Sequence, residues 1–286
     1  MQVVSIRADA AVRVFLKRLV DELAEGPLNL PCFPDVVPRI RKALSDPNST
    51  LDDIVRMAGT EPRLAARLLQ TANAALFNPT GTPVSNLRRA VTRLGHDLVE
   101  SVTMAFALAQ VKAEPALQTI APQLNVLWLK SIASASICRV LAKRLGVPGD
   151  KVFLTGLLHG IGYFYIMVRA GQAGMPIEDL LTDFVSQQHP AIGRRVMQKW
   201  GFEPVMYEAV GNQNDRQHKG RSGADITDVV ITSVLLADAL IERGGDLERC
   251  AEVTSIATLN LSADDLEAIM RHTETAVATL RHSLEA

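Results

Sequence analysis

The chain is short of cysteine, of aromatic residues and of net charge, and each shortage narrows what it can do. Its three cysteines, Cys32, Cys138 and Cys250, lie far apart in 286 residues, with no Cys-x-x-Cys pair. That spacing offers neither a disulfide framework nor a structural zinc site, and it fits a reducing cytoplasm, the expected location. Aromatic residues make up 5% and the formal net charge is −1. A global electrostatic pull toward nucleic acid or anionic membrane is therefore not expected. No apolar run approaches the roughly 20 residues that span a bilayer, and Met1 to Asp9 lacks the charged-then-apolar order of a signal peptide. Neither a Gly-x-x-x-x-Gly-Lys loop nor a Gly-x-Ser-x-Gly elbow occurs, so NTP hydrolysis and serine esterase chemistry have no foothold. Strand alternation, fixed-period repeats and low-complexity tracts are also missing.

What is present is helical periodicity. Hydrophobic residues make up 48% of the chain, enough for a sizeable core. Val12, Phe15, Leu16, Leu19, Val20 and Leu23 recur at three- and four-residue steps and predict an opening helix ended by Gly26-Pro27. Pro34 is expected to open a second helix that closes at Ser45-Asp46-Pro47-Asn48. Thr50, with Asp52 and Asp53 behind it, reads as an N-cap. Pro62 starts another helix, and Ser85 is expected to cap one that Gly95 ends. After the interruption at Pro115 and Pro122, Leu124–Leu145 reads as a helix rich in small residues (Ala133, Ser134, Ala135, Ser136) that admits close neighbours. Further helices are expected at Lys151–His159, Ile177–Val185, Pro190–Lys199, Val205–Val210 and Asp225–Glu242, with a last one capped by Ser262. Gly211 to Gly223 reads as a mobile polar loop. The expected fold is all-α and two-lobed: an N-terminal helix over 1–27, a first lobe over 28–122, a second over 123–245 and a helical extension over 246–286.

The most telling segment is Leu157-Leu158-His159-Gly160-Ile161-Gly162, which reads like a metal-phosphohydrolase signature without its aspartate. A carboxylate bridges or charge-balances a divalent cation, and glycine has no side chain to offer.

The order of several weak motifs carries a resemblance. They are Leu30-Pro31-Cys32-Phe33-Pro34, Leu44-Ser45-Asp46-Pro47, Glu61-Pro62-Arg63-Leu64 running to Ala72-Asn73, and Pro83-Val84-Ser85-Asn86-Leu87 with Leu94-Gly95. Leu127-Trp128, Gly156-Leu157-Leu158-His159 and His189-Pro190-Ala191-Ile192-Gly193 ending at Trp200-Gly201 complete them. Together they resemble the bacterial HDOD family over about Leu28 to Asp238. The resemblance implies a family-specific helical lobe followed by an HD-like lobe. It also implies a non-catalytic signalling role, in a group related to the HD-GYP cyclic-dinucleotide phosphodiesterases.

The same resemblance lets the metal site be counted. The relatives' early histidine falls at Lys130, the HD pair at His159-Gly160, the His-Pro histidine at His189, the double histidine near Gln213-Asn214 and the closing aspartate at Asp238. His159, His189 and Asp238 thus remain of the ligand set. Three ligands can make a mononuclear zinc site, whereas a two-metal cleavage site needs more. Lys130 places an ammonium where a metal's charge belongs, and it is expected either to pair with Asp238 or to reach solvent. If that pair is buried, losing one partner costs on the order of 3–5 kcal/mol. The alternative role for both histidines is a buried one, hydrogen-bonded within the bundle.

Arg88, Arg89 and Arg93, Arg194, Arg195 and Lys199, and Arg216, His218, Lys219 and Arg221 form basic clusters. They would suit a phosphate-bearing ligand or partner, or serve as solvated surface. Cys138 reads as a packed thiol, and Tyr163, Phe164 and Tyr165 as packing. The leading reading is a binding module without catalytic residue, metal or cofactor, with a signalling protein or a small nucleotide as partner. A metal-dependent phosphohydrolase using His159, His189 and Asp238 is the second reading, and a nucleic-acid-associated regulator the third. Oligomeric state is not legible.

Overall fold

The computed structural model describes residues 2–25, 34–147, 149–176, 180, 182–220, 223–241 and 253–285. Among these the architecture is all-α, as the periodicity predicts. The motif at Leu30 to Phe33, the helix end at Gly26-Pro27 and the boundary at 245/246 lie outside the described residues.

The first half contains α1 (Gln2–Glu25), α2 (Val36–Ser45), α3 (Leu51–Gly59), α4 (Pro62–Asn73) and α5 (Leu87–Lys112). Val12, Leu16, Leu19 and Leu23 form the buried face of α1, and that helix packs against the second half of the chain. Glu22 pairs there with Arg169 at 2.7 Å. Thr50 caps α3 in a reciprocal box with Asp53, so the predicted start holds. Two expectations shift. Asn86, not Ser85, caps α5, its side chain accepting from Arg89 N at 2.9 Å. Gly95 does not end that helix: at φ 71° it puts a kink in it, and helical geometry resumes to Lys112. A positive φ is cheap for glycine, so the residue can turn the axis without forcing a loop.

A 3-10 turn (Pro115–Ile120) leads into α6 (Ala121–Leu145), the central helix of the second half. Around it lie α7 (Gly149–Leu157), α8 (Ile161–Gln172), α9 (Asp183–Lys199), α10 (Pro204–Gly211), α11 (Ile226–Ile241), α12 (Thr254–Thr258) and α13 (Ala263–Glu285). Helix α6 packs on α7, α11 and α13, and α13 also reaches α4 and α5. The two halves share one apolar core that runs from Val12 through Leu68, Phe106 and Tyr165 to Val210. Arg41 of α2 clamps the junction. It donates to Glu100 and to the Trp200 carbonyl, both at 2.6 Å, and lies 4.0 Å over the Phe202 ring.

The sequence reading missed α8, and with it the point that His159 stands in the α7–α8 turn rather than on a helix. It also split α9. Pro190 lies inside that helix, and Thr182 caps it by accepting from Val185 N at 3.3 Å. Against the expectation that no apolar run approaches a membrane span, the stretches Pro115–Ala142 and Gly149–Gln172 are apolar and long enough by length and composition, and 89% of the second stretch's most apolar window is buried within the bundle.

Candidate functional site

Helical spacing assembles the site. On α6, Gln123, Leu127 and Lys130 follow one another at steps of four and three. On α9, Asp183, Ser186 and His189 do so at steps of three, and on α11 Val234 and Asp238 are one turn apart. Residues at such spacing share a face. The three faces enclose a cavity of about 480 Å3, which the α7–α8 turn closes with His159 and Gly160, and Tyr163, Gln213 and Asn214 join its wall.

Two close backbone approaches fix that turn. A Cβ on Gly156 would lie 2.6 Å from Cys138 Sγ and 3.1 Å from the Ala135 backbone, so α7 sits directly on the small-residue stripe of α6. A Cβ on Gly162 would lie 1.9 Å from the His189 carbonyl oxygen and 2.5 Å from Gly193 N, so α8 crosses α9 backbone to backbone. Only glycine permits the second crossing, which holds His189 beside the His159 turn. Gly160 differs: its Cβ would crowd the flexible end of Leu127, at 2.7 Å, and lie in ordinary contact with Ser131 Oγ at 3.7 Å.

Every remnant assigned by resemblance lines this one cavity: Lys130, His159, Gly160, His189 and Asp238, with Gln213 and Asn214. Lys130 Nζ lies 2.8 Å from Asp238 Oδ1, and the two side chains are 21% and 42% exposed. The ion pair is therefore present but wetter than the buried pair considered from sequence. His159 is buried, with Nδ1 2.8 Å from the Gly156 carbonyl. Burial pulls its pKa down, as does the Lys130 charge, while the Gly156 bond and Asp238 act the other way. Burial, then His159 and Lys130, lowers the His189 pKa to about 3. Both imidazoles are neutral at pH 7. The His189 ring stands edge-on to Tyr163 at 5.5 Å.

The expectation of a mobile loop over Gly211 to Gly223 fails at Gln213. That residue is 3% exposed, and Nε2 donates to the His159 and Val210 carbonyls at 2.8 and 2.9 Å. At a position where the resemblance implies a histidine, an amide pins the His159 turn through hydrogen bonds. Asn214 Nδ2 likewise donates to the Ser186 carbonyl at 3.0 Å.

The donor set does not fit a metal centre. The Lys130 ammonium already occupies the closing carboxylate, and Gly160 contributes no ligand. Among the described residues, His159, His189 and Asp238 do not bring three donor atoms within 4.8 Å of one another; that condition is met by His218, Asp225 and Asp228. Those three are accounted for by the start of α11. Asp225 Oδ1 accepts from Asp228 N at 3.2 Å, Asp228 Oδ2 accepts from Asp225 N at 3.1 Å, and His218 Nε2 lies 3.2 Å from Asp225. This is a reciprocal cap braced by a histidine, and the sequence reading had put His218 in a basic cluster.

Among the described residues, none of the arginines singled out from sequence lines the cavity, and Arg221 lies outside the described residues. Arg88 pairs with Asp52, and Arg194 with Glu208. Arg93 donates to the Thr82 carbonyl at 2.8 Å, Arg195 reaches the Val20 carbonyl at 3.5 Å, and Arg89 is exposed. Cys138 is buried, which pushes its thiol up to about 12 and leaves it inert.

An all-helical scaffold thus presents a His-Gly turn and a His-Pro helix around one cavity. The HDOD domain family matches residues 30–216, and the chain belongs to that family. A solved structure from Shewanella amazonensis SB2B, provisionally described as a metal-dependent phosphohydrolase, is 24% identical with a TM-score of 0.76. The match covers 98% of this chain and 100% of that one. A structure from Marinobacter aquaeolei VT8, provisionally described as a signal transduction protein, is 19% identical with a TM-score of 0.60, covering 96% of this chain and 65% of that one. An uncharacterised protein of Treponema pallidum (strain Nichols) is 24% identical over 204 residues, which is 66% of this chain; the chain spans 38% of that relative's length. At these identities the likeness to the solved structures speaks for the fold.

Proposed function

We propose that the chain is a non-catalytic regulatory module that acts by binding, with its HD-derived cavity converted from a metal centre into a metal-free pocket. The observation that carries this is the Lys130–Asp238 ion pair at 2.8 Å. It sets a fixed cation against the last carboxylate of the ligand set, opposite a glycine that supplies none. A hydrolytic metal site needs a filled ligand shell and an open position for water. Here His159 and the Gln213 amide hold the geometry by hydrogen bonds, His189 by its edge-on contact with Tyr163, and Lys130 by one ion pair. The role in signal transduction rests on family membership and on the name given to the Marinobacter relative; a protein or small-nucleotide partner and a cytoplasmic location are part of the proposal.

Metal content per chain tests the reading. Protein purified without chelator, then offered manganese, iron and zinc and desalted, is expected to hold far less than one ion per chain and to leave phosphodiesters uncleaved. About one ion per chain, lost in His159→Ala and accompanied by turnover, would restore the phosphohydrolase reading that His159 and His189 keep in view.

A further inference from the structure

The cap at the start of α11 accounts for where His218, Asp225 and Asp228 stand, but it uses only half of their carboxylate oxygens. Asp225 Oδ1 accepts from Thr227 N at 2.7 Å and from Asp228 N at 3.2 Å. Asp228 Oδ2 accepts from Asp225 N at 3.1 Å. Among the described residues, Asp225 Oδ2 meets His218 Nε2, at 3.2 Å, and Asp228 Oδ1 meets no partner at all. Asp228 is fully buried. A carboxylate taken out of water with one oxygen unpaired carries a desolvation cost, and a cation beside it offsets that cost. A cap asks for no ion by itself; the spare oxygen of Asp228 does.

We propose that His218, Asp225 and Asp228 form a low-affinity site for a divalent cation of the zinc class, which ties the loop after α10 to the start of α11. Imidazole with carboxylates suits zinc and its first-row neighbours better than calcium or magnesium. With bonds of about 2.0–2.1 Å, neighbouring donors of a tetrahedral site lie about 3.4 Å apart. His218 Nε2 and Asp225 Oδ2 already stand 3.2 Å apart, and all three residues bring a donor atom within 4.8 Å of the others. The ion therefore needs no void large enough for water. Nε2 faces carboxylate oxygens, which accept only, so it carries a proton. The ion takes the place of that proton, which leaves to solvent, and it enters past Asp225, whose side chain is 41% exposed. The cap meanwhile holds the other oxygen of each carboxylate, as outer-shell bonds do in metal sites. Gln213 and Asn214, on the same loop, bond the His159 and Ser186 carbonyls. An ion on His218 thus stiffens the segment that closes the HD-derived cavity, while using none of that cavity's residues. Because the His218–Asp225 bond must be given up for it, the ion exchanges readily and desalting strips it.

The test titrates the full chain with zinc at equilibrium, by isothermal titration calorimetry, and follows the unfolding midpoint in parallel. Wild-type protein is expected to bind one ion per chain and to unfold at a higher temperature with zinc than without. His218→Ala and Asp225→Asn should each weaken binding about tenfold or more, since even a lost outer-shell bond typically costs that much. Asparagine still caps a helix, so Asp225→Asn separates ligation from folding. Midpoints without zinc confirm that both variants are folded. Asp238→Asn, in the HD-derived cavity, should bind zinc as the wild type does. No saturable binding by folded wild-type protein, or binding that either His218→Ala or Asp225→Asn leaves unchanged, would overturn the proposal and leave the metal-free cavity standing. An ion lost in Asp238→Asn but kept in His218→Ala would overturn both. Two ions per chain, one lost with each of those variants, would support this site and sink only the metal-free reading.

Discussion

Breaking the Lys130–Asp238 pair separates two accounts of how the HD-derived lobe is held together. If the ammonium did the mechanical work of the relatives' metal, α6 and α11 would depend on it, and either single substitution would strand a buried charge at about 3–5 kcal/mol. The structure argues for less. At 21% and 42% exposure both charges keep solvent on the cavity side. A lone Asp238 or a lone Lys130 would therefore be hydrated rather than stranded, and a pair of this kind contributes about 1 kcal/mol or less. Helices α6 and α11 meanwhile bury Ile137, Leu141, Val230 and Leu236 in a shared apolar cluster, which carries the junction. The experiment is a double-mutant cycle of Lys130→Met and Asp238→Asn, read by urea unfolding. Gln213→Ala serves as an internal comparison, because it removes a side-chain donor to two carbonyls. Lost bonds of that kind cost about 1–3 kcal/mol each. The expected order is a coupling of about 1 kcal/mol for the pair and a larger loss, about 2–4 kcal/mol, for Gln213→Ala. A coupling above about 3 kcal/mol would refute the reasoning and show the ion pair to be the structural heir of the metal. A coupling of zero would show that the pair does not form in solution.

Three further outcomes are expected. Gly160→Asp combined with Lys130→His restores two ligand types, and Leu127 can yield to the new side chain; elemental analysis should show metal taken up, and no uptake would mean that His159 and His189 are set too far apart. His189 is held near 3 against an ordinary 6.5, and His159 is shifted the same way, so as pH falls the unfolded chain binds protons before the folded one does. Stability is then fully present above about 6.5 and falls below it, by up to about 2 kcal/mol between pH 6.5 and pH 5 for His189 alone; a flat urea midpoint across that window, or one unchanged in slope by His189→Gln, would contradict the buried neutral imidazole. Gly162→Ala should cost at least about 3 kcal/mol or prevent folding, since its Cβ would meet the His189 carbonyl at 1.9 Å, whereas Gly160→Ala should be far milder; equal behaviour of the two would undo the backbone-crossing argument.

How much of this was legible in the sequence follows from the range of each signal. Caps and periodicity are local, so Thr50, Pro62, Ser262 and the apolar face of α1 were readable, as was the small-residue stripe that receives α7. Helix α8 was hidden because its Ile161–Val168 stretch is apolar on every side, and a helix buried all round shows no amphipathic period. Pro190 misled because proline is an ordinary helix opener; only the Thr182 cap, eight residues upstream, shows where α9 begins. The site divided along the same line. Which residues would gather, and that Lys130 could face Asp238, came from the motif order. How wet the pair is, and what Gln213 does, depend on the depth of the cavity and on carbonyls 3 and 54 positions away in sequence. That gap matters for function. Ligand loss can be counted from sequence, which yields a statement about what the protein no longer does. The contacts that shape the cavity, such as the Gln213 amide on the His159 carbonyl, exist only once the chain is folded.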